Sequence, residues 1–143
     1  MDSNMKREVI LDNYSHPFNR GKENEGYIKV NSNNESCIDN IDLYIKFNEG
    51  ILEDIKFDGE ACAISTASTS IMIKNMIGKS IDEVESYIKN FEAMLNEEEY
   101  QDLDFNEAIV FDETYKQGNR KTCVTLPYRG IEKAIKEYKN SLV

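Results

Sequence analysis

Two runs of alternating apolar and polar residues lie close together in the first half of the chain. Residues 41–47 read Ile-Asp-Leu-Tyr-Ile-Lys-Phe, and residues 51–57 read Ile-Leu-Glu-Asp-Ile-Lys-Phe. A period of two is the pattern of a half-buried strand. Asn48-Glu49-Gly50 is a short glycine-containing connector between them, so the spacing predicts a β-hairpin. One face of it carries Ile41, Leu43, Ile45 and Phe47 towards a core, and the other face is largely polar. A further strand is predicted over residues 26–31, Gly-Tyr-Ile-Lys-Val-Asn, followed by a loop rich in Asn and Ser.

The remaining apolar residues recur at helical spacing. Met5, Val9, Ile10 and Tyr14 predict a helix over residues 4–14, ended by the turn-rich Ser15-His16-Pro17-Phe18-Asn19-Arg20-Gly21. Residues 62–77 begin with small side chains and continue with apolar ones, and Gly78 suits the position just past a helix end. Ser80 and Glu83 match a capping box, which predicts a helix over 81–95 with Val84, Ile88, Phe91 and Leu95 as its buried stripe. Residues 97–113 are acidic and irregular, and read as a solvated loop with short helical pieces. The chain ends in a helix over 119–141, with Ile131, Ala134, Ile135 and Tyr138 as the stripe of its last part. Pro127 is expected to kink or split it. The pattern as a whole predicts an α+β fold. A small antiparallel sheet of three strands is covered on one face by helices, in a single domain over 1–143.

Composition narrows the function. The 143 residues include 17 basic and 27 acidic side chains, for a net charge of -10. That balance argues against nucleic acid and against anionic membrane surfaces as partners. No apolar run reaches the roughly 18 residues of a membrane span, and Met1-Asp2-Ser3-Asn4-Met5-Lys6 has no apolar signal core, so a cytoplasmic protein is expected. The three cysteines cannot pair completely within one chain, and with one histidine any chemistry that needs two is excluded.

Cys37 falls in the loop before the hairpin, Cys62 at the start of the helix after it, and Cys123 near the start of the last helix. Asp39 is two residues from Cys37, so both side chains can point the same way from an extended loop. Three thiolates and a carboxylate are a tetrahedral zinc set. The set would be anionic, and Arg120 or Lys121 could supply a positive neighbour. Spacing alone leaves the alternative open that Cys62 and Cys123 are ordinary buried thiols, because the C-x-x-C pairs typical of zinc sites are absent.

Four motifs add to this. Phe57-Asp58-Gly59-Glu60-Ala61-Cys62-Ala63-Ile64-Ser65-Thr66-Ala67-Ser68 closely resembles the F-x-G-x-G-C-A-I-S-x-A-S signature of the NifU N-terminal/IscU/SufU family of iron–sulfur cluster assembly proteins. Cys37-Ile38-Asp39 resembles that family's C-G-D loop. Residues 13–21 resemble a variant of its N-terminal H-Y-x-N-P-x-N-x-G turn. Arg120-Lys121-Thr122-Cys123-Val124-Thr125-Leu126 resembles its R-x-x-C-x-x-L motif. The likeness runs in order from about residue 5 to 140.

Within the family the chain is most similar to SufU-type members. Thr122 stands where IscU-type scaffolds carry a histidine, and the L-P-P-V-K motif is missing. The 60 residues between Cys62 and Cys123 leave room for the extra SufU-type segment. The resemblance implies a metal site at one exposed end of the fold, with Cys37, Asp39, Cys62 and Cys123 as zinc ligands. It also implies a cysteine desulfurase of the SufS kind as partner, with downstream iron–sulfur assembly proteins beyond it. Cys37 is then the ligand that exchanges and, freed as a thiolate, attacks the persulfide. The alternative it implies is a scaffold on which a [2Fe–2S] cluster forms on the same four residues.

The chain departs from the family pattern at several positions. Ile38 replaces the glycine of the ligand loop, and a β-branched residue disfavours positive φ, so the loop is expected to be re-routed or stiffer. Ala61 replaces the glycine before Cys62, and Pro127 falls where family helices continue. A structural zinc module without transfer activity is a third reading. His16 reads as a turn residue before Pro17, and the Ser/Thr cluster at 65–70 as small-residue helix packing. Tyr128 and Arg129 read as surface near Cys123, whether for docking or not.

Overall fold

The computed structural model describes residues 1–35, 38–101 and 104–142. An N-terminal helix α1 (Ser3–Ser15) precedes three strands, β1 (Ile28–Asn33), β2 (Asn40–Asn48) and β3 (Ile51–Glu60). Helices α2 (Ala63–Met76) and α3 (Ile81–Leu95) follow. After two short 3-10 turns, Asn106–Phe111 and Thr114–Lys116, comes the long helix α4 (Gly118–Ser141). The sheet is antiparallel in the order β1-β2-β3, so the predicted α+β layering is observed.

The hairpin turn is tight because Glu49 and Gly50 both take positive φ, 50° and 78°, the combination that matches strand twist. Ile41, Leu43 and Ile45 are fully buried on the helix-covered face. Tyr44, on the opposite face, is also buried, with the Lys29 ammonium 5.9 Å from its ring centre. The strands extend past the alternating runs at their ends: β3 continues to Glu60, which carries the pairing up to the edge of the site.

Helix α2 is buried almost all round, as a helix sandwiched between neighbours must be. Helix α1 packs on one side of it and α4 on the other, and α4 also crosses β1 and β2. The crossing is close: a Cβ on Gly130 would stand 2.5 Å from Leu43 Cδ1. At its far end α4 is fixed to the hairpin. Tyr138 stacks on Phe47 with ring centres 4.3 Å apart, and its hydroxyl accepts from the Gly50 N–H at 3.1 Å. Helix α3 starts with the predicted capping box, both halves of which are formed. Its stripe of Val84, Ile88, Phe91 and Leu95 is buried as expected.

Several expectations need correction. Pro127 does not split the last helix, which runs unbroken from Gly118 to Ser141. Within the acidic stretch, Phe105, Ala108, Val110 and Phe111 are core residues, and Glu107 and Asp112 pair with Lys74 and Lys6 at 2.9 and 2.6 Å, so only part of the segment is solvated. Charge had masked its apolar half. Met5 and Tyr14 lie exposed on α1, whose inward face is built around buried Asn13. Tyr128 is 1% exposed and stacks in a cluster with Tyr87 and Phe91, so it belongs to the core and not to a surface near Cys123. Among the described residues no helix is long and apolar enough to cross a membrane.

Candidate metal centre

The β2–β3 register brings Asp39 to Cys62. Asn40 pairs with Glu60 and Ile41 with Gly59, so the residue before β2 faces the residues just after β3. Gly59 makes that approach possible. Its φ is 124°, and a Cβ there would lie 2.2 Å from the Asn40 carbonyl oxygen, so no other residue fits without moving backbone. The loop that leads into Asp39 is closed by the Asn34 N–H, which donates to the Asp39 carbonyl at 2.9 Å.

Cys62 is the N-cap of α2, with the Ser65 N–H 3.4 Å from its Sγ. Cys123 reaches the same place from the second turn of α4, because serines of α2 and β1 hold that helix by its carbonyls. Ser68 donates to Val124 at 2.6 Å, and Ser32 donates to Leu126 at 2.8 Å. Asp39, Cys62 and Cys123 thereby offer three donor atoms that all lie within 4.8 Å of one another. A tetrahedral zinc ion with bonds of about 2.0–2.3 Å sets its donors roughly 3.5–3.8 Å apart. Cys62 Sγ and Asp39 Oδ2 are 3.9 Å apart, and the sulfur–oxygen donor set is of the kind zinc accepts, so the residues present fit the ion.

The electrostatics favour a cation. The Asp39 carboxylate is 1% exposed. Burial raises its pKa, but the Cys62 N–H at 2.8 Å, the Ser65 hydroxyl at 2.7 Å and the two thiols outweigh this and hold it below the usual carboxylate value. Burial pushes the Cys123 thiol up to about 12, and the neighbouring Cys62 and Asp39 act in the same direction. Three acidic donors around one point give a centre that gains from a divalent ion, and the N-terminus of α2 points its partial positive charge at these donors, which favours their ionised, metal-binding forms.

Of the expected site residues, the structure brings together Asp39, Cys62 and Cys123, while Cys37 lies outside the described residues. Ile38, which stands in the place of the ligand-loop glycine, is 68% exposed. His16 stands apart, exposed at the C-cap of α1, as a turn residue would. Arg120 lines a cleft with Ala63, Ile64 and Val124 beside the centre, whereas Lys121 is turned away to Asn96 and Arg129 pairs with Glu92 and Glu132. One participant was missed: Ser65, whose hydroxyl touches Asp39 and the Cys123 carbonyl. Its position one helical turn after Cys62 in the central motif was the available signal.

The model of the NifU-like N-terminal domain matches residues 5–142. The chain belongs to this family. Among the family's characterised relatives, it is 38% identical over 130 residues to the zinc-dependent sulfurtransferase SufU of Bacillus subtilis, covering 90% of this chain and 88% of that protein. It is 31% identical to the iron–sulfur cluster assembly scaffold protein IscU of Thermotoga maritima, covering 93% and 94%. The crystal structure of FiSufU from Fervidobacterium islandicum superposes with a TM-score of 0.85 at 33% identity, over 93% of this chain and 98% of that one. The three-stranded sheet with its helical cover is thus the family's fold.

Proposed function

We propose that this protein is a zinc-containing sulfur acceptor of SufU type, which relays persulfide sulfur from a cysteine desulfurase into iron–sulfur cluster assembly. Asp39, Cys62 and Cys123 are proposed as three zinc ligands, and Cys37 as the fourth ligand and the sulfur-accepting residue. The observation that carries the reading is the convergence of Asp39, Cys62 and Cys123 from three separate elements within 4.8 Å. The zinc-dependent sulfurtransferase of Bacillus subtilis, similar over 90% of the chain, supports it.

Bound zinc would keep its cysteines as thiolates, the nucleophilic form. In the transfer step the Cys37 thiolate attacks the outer sulfur of the desulfurase's cysteine persulfide. A new S–S bond forms on Cys37, the S–S bond of the desulfurase breaks, and its cysteine leaves as a thiolate that takes up the proton of the transferred group. No net oxidation occurs. Asp39, just before β2, Cys62, the N-cap of α2, and Cys123 in α4 would hold the ion while Cys37 reacts.

The test uses purified protein of measured metal content in a desulfurase assay with a SufS-like enzyme and cysteine. About one zinc per chain and a raised desulfurase turnover are expected, with Cys37→Ala losing the stimulation while its circular dichroism is unchanged. Unchanged stimulation by Cys37→Ala would overturn the transfer role. If the chain instead yields a stable [2Fe–2S] chromophore on anaerobic reconstitution, transferable to an apo acceptor, the scaffold reading replaces it.

A further inference from the structure

Pro127 carries no N–H, so the carbonyl four residues back, that of Cys123, lacks the helical bond that position would otherwise donate. Buried carbonyls are rarely left without a donor. Here the donor is Ser65, whose Oγ lies 3.1 Å from the Cys123 oxygen. The same Oγ lies 2.7 Å from Asp39 Oδ2 and 3.4 Å from Cys62 Sγ, and the residue is fully buried. Ser65 therefore touches all three ligand-bearing residues. Its hydroxyl has one proton and two acceptors competing for it.

We propose that Ser65 is a positioning residue of the metal centre, a hydroxyl whose proton alternates between Asp39 Oδ2 and the Cys123 carbonyl that Pro127 leaves open. With no cation on Oδ2, the proton goes to the carboxylate, the shorter and charge-assisted contact. Once Oδ2 gives its lone pair to a cation, the proton turns to the Cys123 carbonyl. The rotation needs no movement of heavy atoms, because both acceptors are already within hydrogen-bond distance. The hydroxyl is thus partnered in both states, and the three ligands keep their places before and after the ion arrives. Pro127, out of pattern for its helix, is then part of the same device: with an N–H at that position, the carbonyl would already be bonded within the helix.

The inference rests on the reading of Asp39, Cys62 and Cys123 as metal ligands, and its test separates the two. Zinc affinity is measured by chelator competition, and cobalt(II) absorption reports ligand geometry, on wild type, Ser65→Ala, Pro127→Ala and the double variant. Ser65→Ala is expected to weaken zinc about 10- to 100-fold, the usual effect of removing a residue that orients a ligand, and to shift the cobalt d–d bands. Pro127→Ala alone should weaken zinc less than Ser65→Ala does, because the Cys123 carbonyl has two lone pairs and can accept from both Ser65 and the restored helix N–H. The double variant should recover part of the loss, since the Cys123 carbonyl regains a helix N–H, and should still bind more weakly than Pro127→Ala.

Zinc binding and cobalt spectra unchanged by Ser65→Ala would overturn the proposal while leaving the metal centre intact. A wild type that takes up neither metal would remove the centre and the proposal with it. If Ser65→Ala fails to fold, the comparison of the double variant with Pro127→Ala decides: equal zinc affinity, or a double variant that also fails to fold, assigns Ser65 to the fold alone and overturns the proposal.

Discussion

Asp39 and Cys62, 23 residues apart, are joined by a hydrogen bond from the Cys62 backbone N–H to Asp39 Oδ1 at 2.8 Å. The bond leaves Oδ2 turned towards the two sulfurs. One carboxylate thus does two things: one oxygen satisfies an N–H at the start of α2, and the other joins the donor cluster. The arrangement explains how a carboxylate that is almost wholly buried stays ionised with no basic side chain paired to it among the described residues.

Asp39→Ala is therefore expected to cost stability even in the metal-free protein. It leaves the Cys62 N–H and the Ser65 hydroxyl without their charged acceptor in a buried site. The loss should be about 2–4 kcal/mol, the range for charge-assisted bonds whose partners cannot reach water. Urea denaturation of chelator-treated wild type and variant measures it. A loss below about 1 kcal/mol would mean that Asp39 serves the metal alone.

What could be read from the sequence was what local chemistry determines. The hairpin followed from alternation and Glu49-Gly50, and α3 from Ser80 and Glu83, because those signals lie within a few residues of their effect. Pro127 was misjudged because what lets the helix tolerate it, hydroxyls at Ser65 and Ser68, comes from some sixty residues earlier in the chain. Phe105 and Phe111 were hidden by the acidic residues around them. The donor set itself was open on spacing alone, since residues 39, 62 and 123 meet only through strand register and helix packing. Its reading came from the ordered family motifs, and family membership is established over residues 5–142.

Two glycines separate fold from site. Gly59→Ala forces a side chain at φ 124° against the Asn40 carbonyl, and should cost about 3 kcal/mol or more because backbone must give way. Gly130→Ala meets Leu43 Cδ1 in mid-sheet, the end of a side chain. Both should lower the melting temperature. Only Gly59→Ala moves Asp39 relative to Cys62, so only it should weaken zinc in chelator competition beyond what its stability loss explains. Equal effects on zinc would refute the role assigned to Gly59.

Asn13 is the converse case, a buried polar residue remote from the centre. Its Oδ1 accepts from Ser70 at 2.8 Å and from Lys74 at 2.9 Å, and its Nδ2 donates to the Val9 carbonyl at 2.9 Å. These contacts hold α1 on α2. Asn13→Ala should destabilise the protein by about 2–3 kcal/mol, through the hydroxyl and ammonium left facing an apolar methyl. Zinc affinity should stay within about twofold of wild type. Loss of zinc together with stability would show that the seating of α1 reaches the centre.

The pH dependence of stability should differ between metal-free and zinc-loaded protein. In the metal-free state, Asp39 has a folded pKa below its ordinary 3.8, so its stabilisation is present above that pH and is lost as pH falls through the folded value. Cys123 is the opposite, raised from 9.0 to about 12 in the fold. Above pH 9 the unfolded chain gives up this proton while the fold retains it, so the native state binds more protons and stability falls as pH rises towards 12. With zinc bound, Cys123 is held as thiolate in the native state while the unfolded chain keeps its proton below pH 9. The sign reverses, and stability should rise from pH 6 to 8.5. Melting curves with and without zinc, for wild type and Cys123→Ser, measure both slopes. The variant should lose the Cys123 share of both slopes, leaving only what the other zinc-bound thiolates contribute, and a zinc-dependent rise of undiminished size in Cys123→Ser would exclude Cys123 as a thiolate that zinc holds.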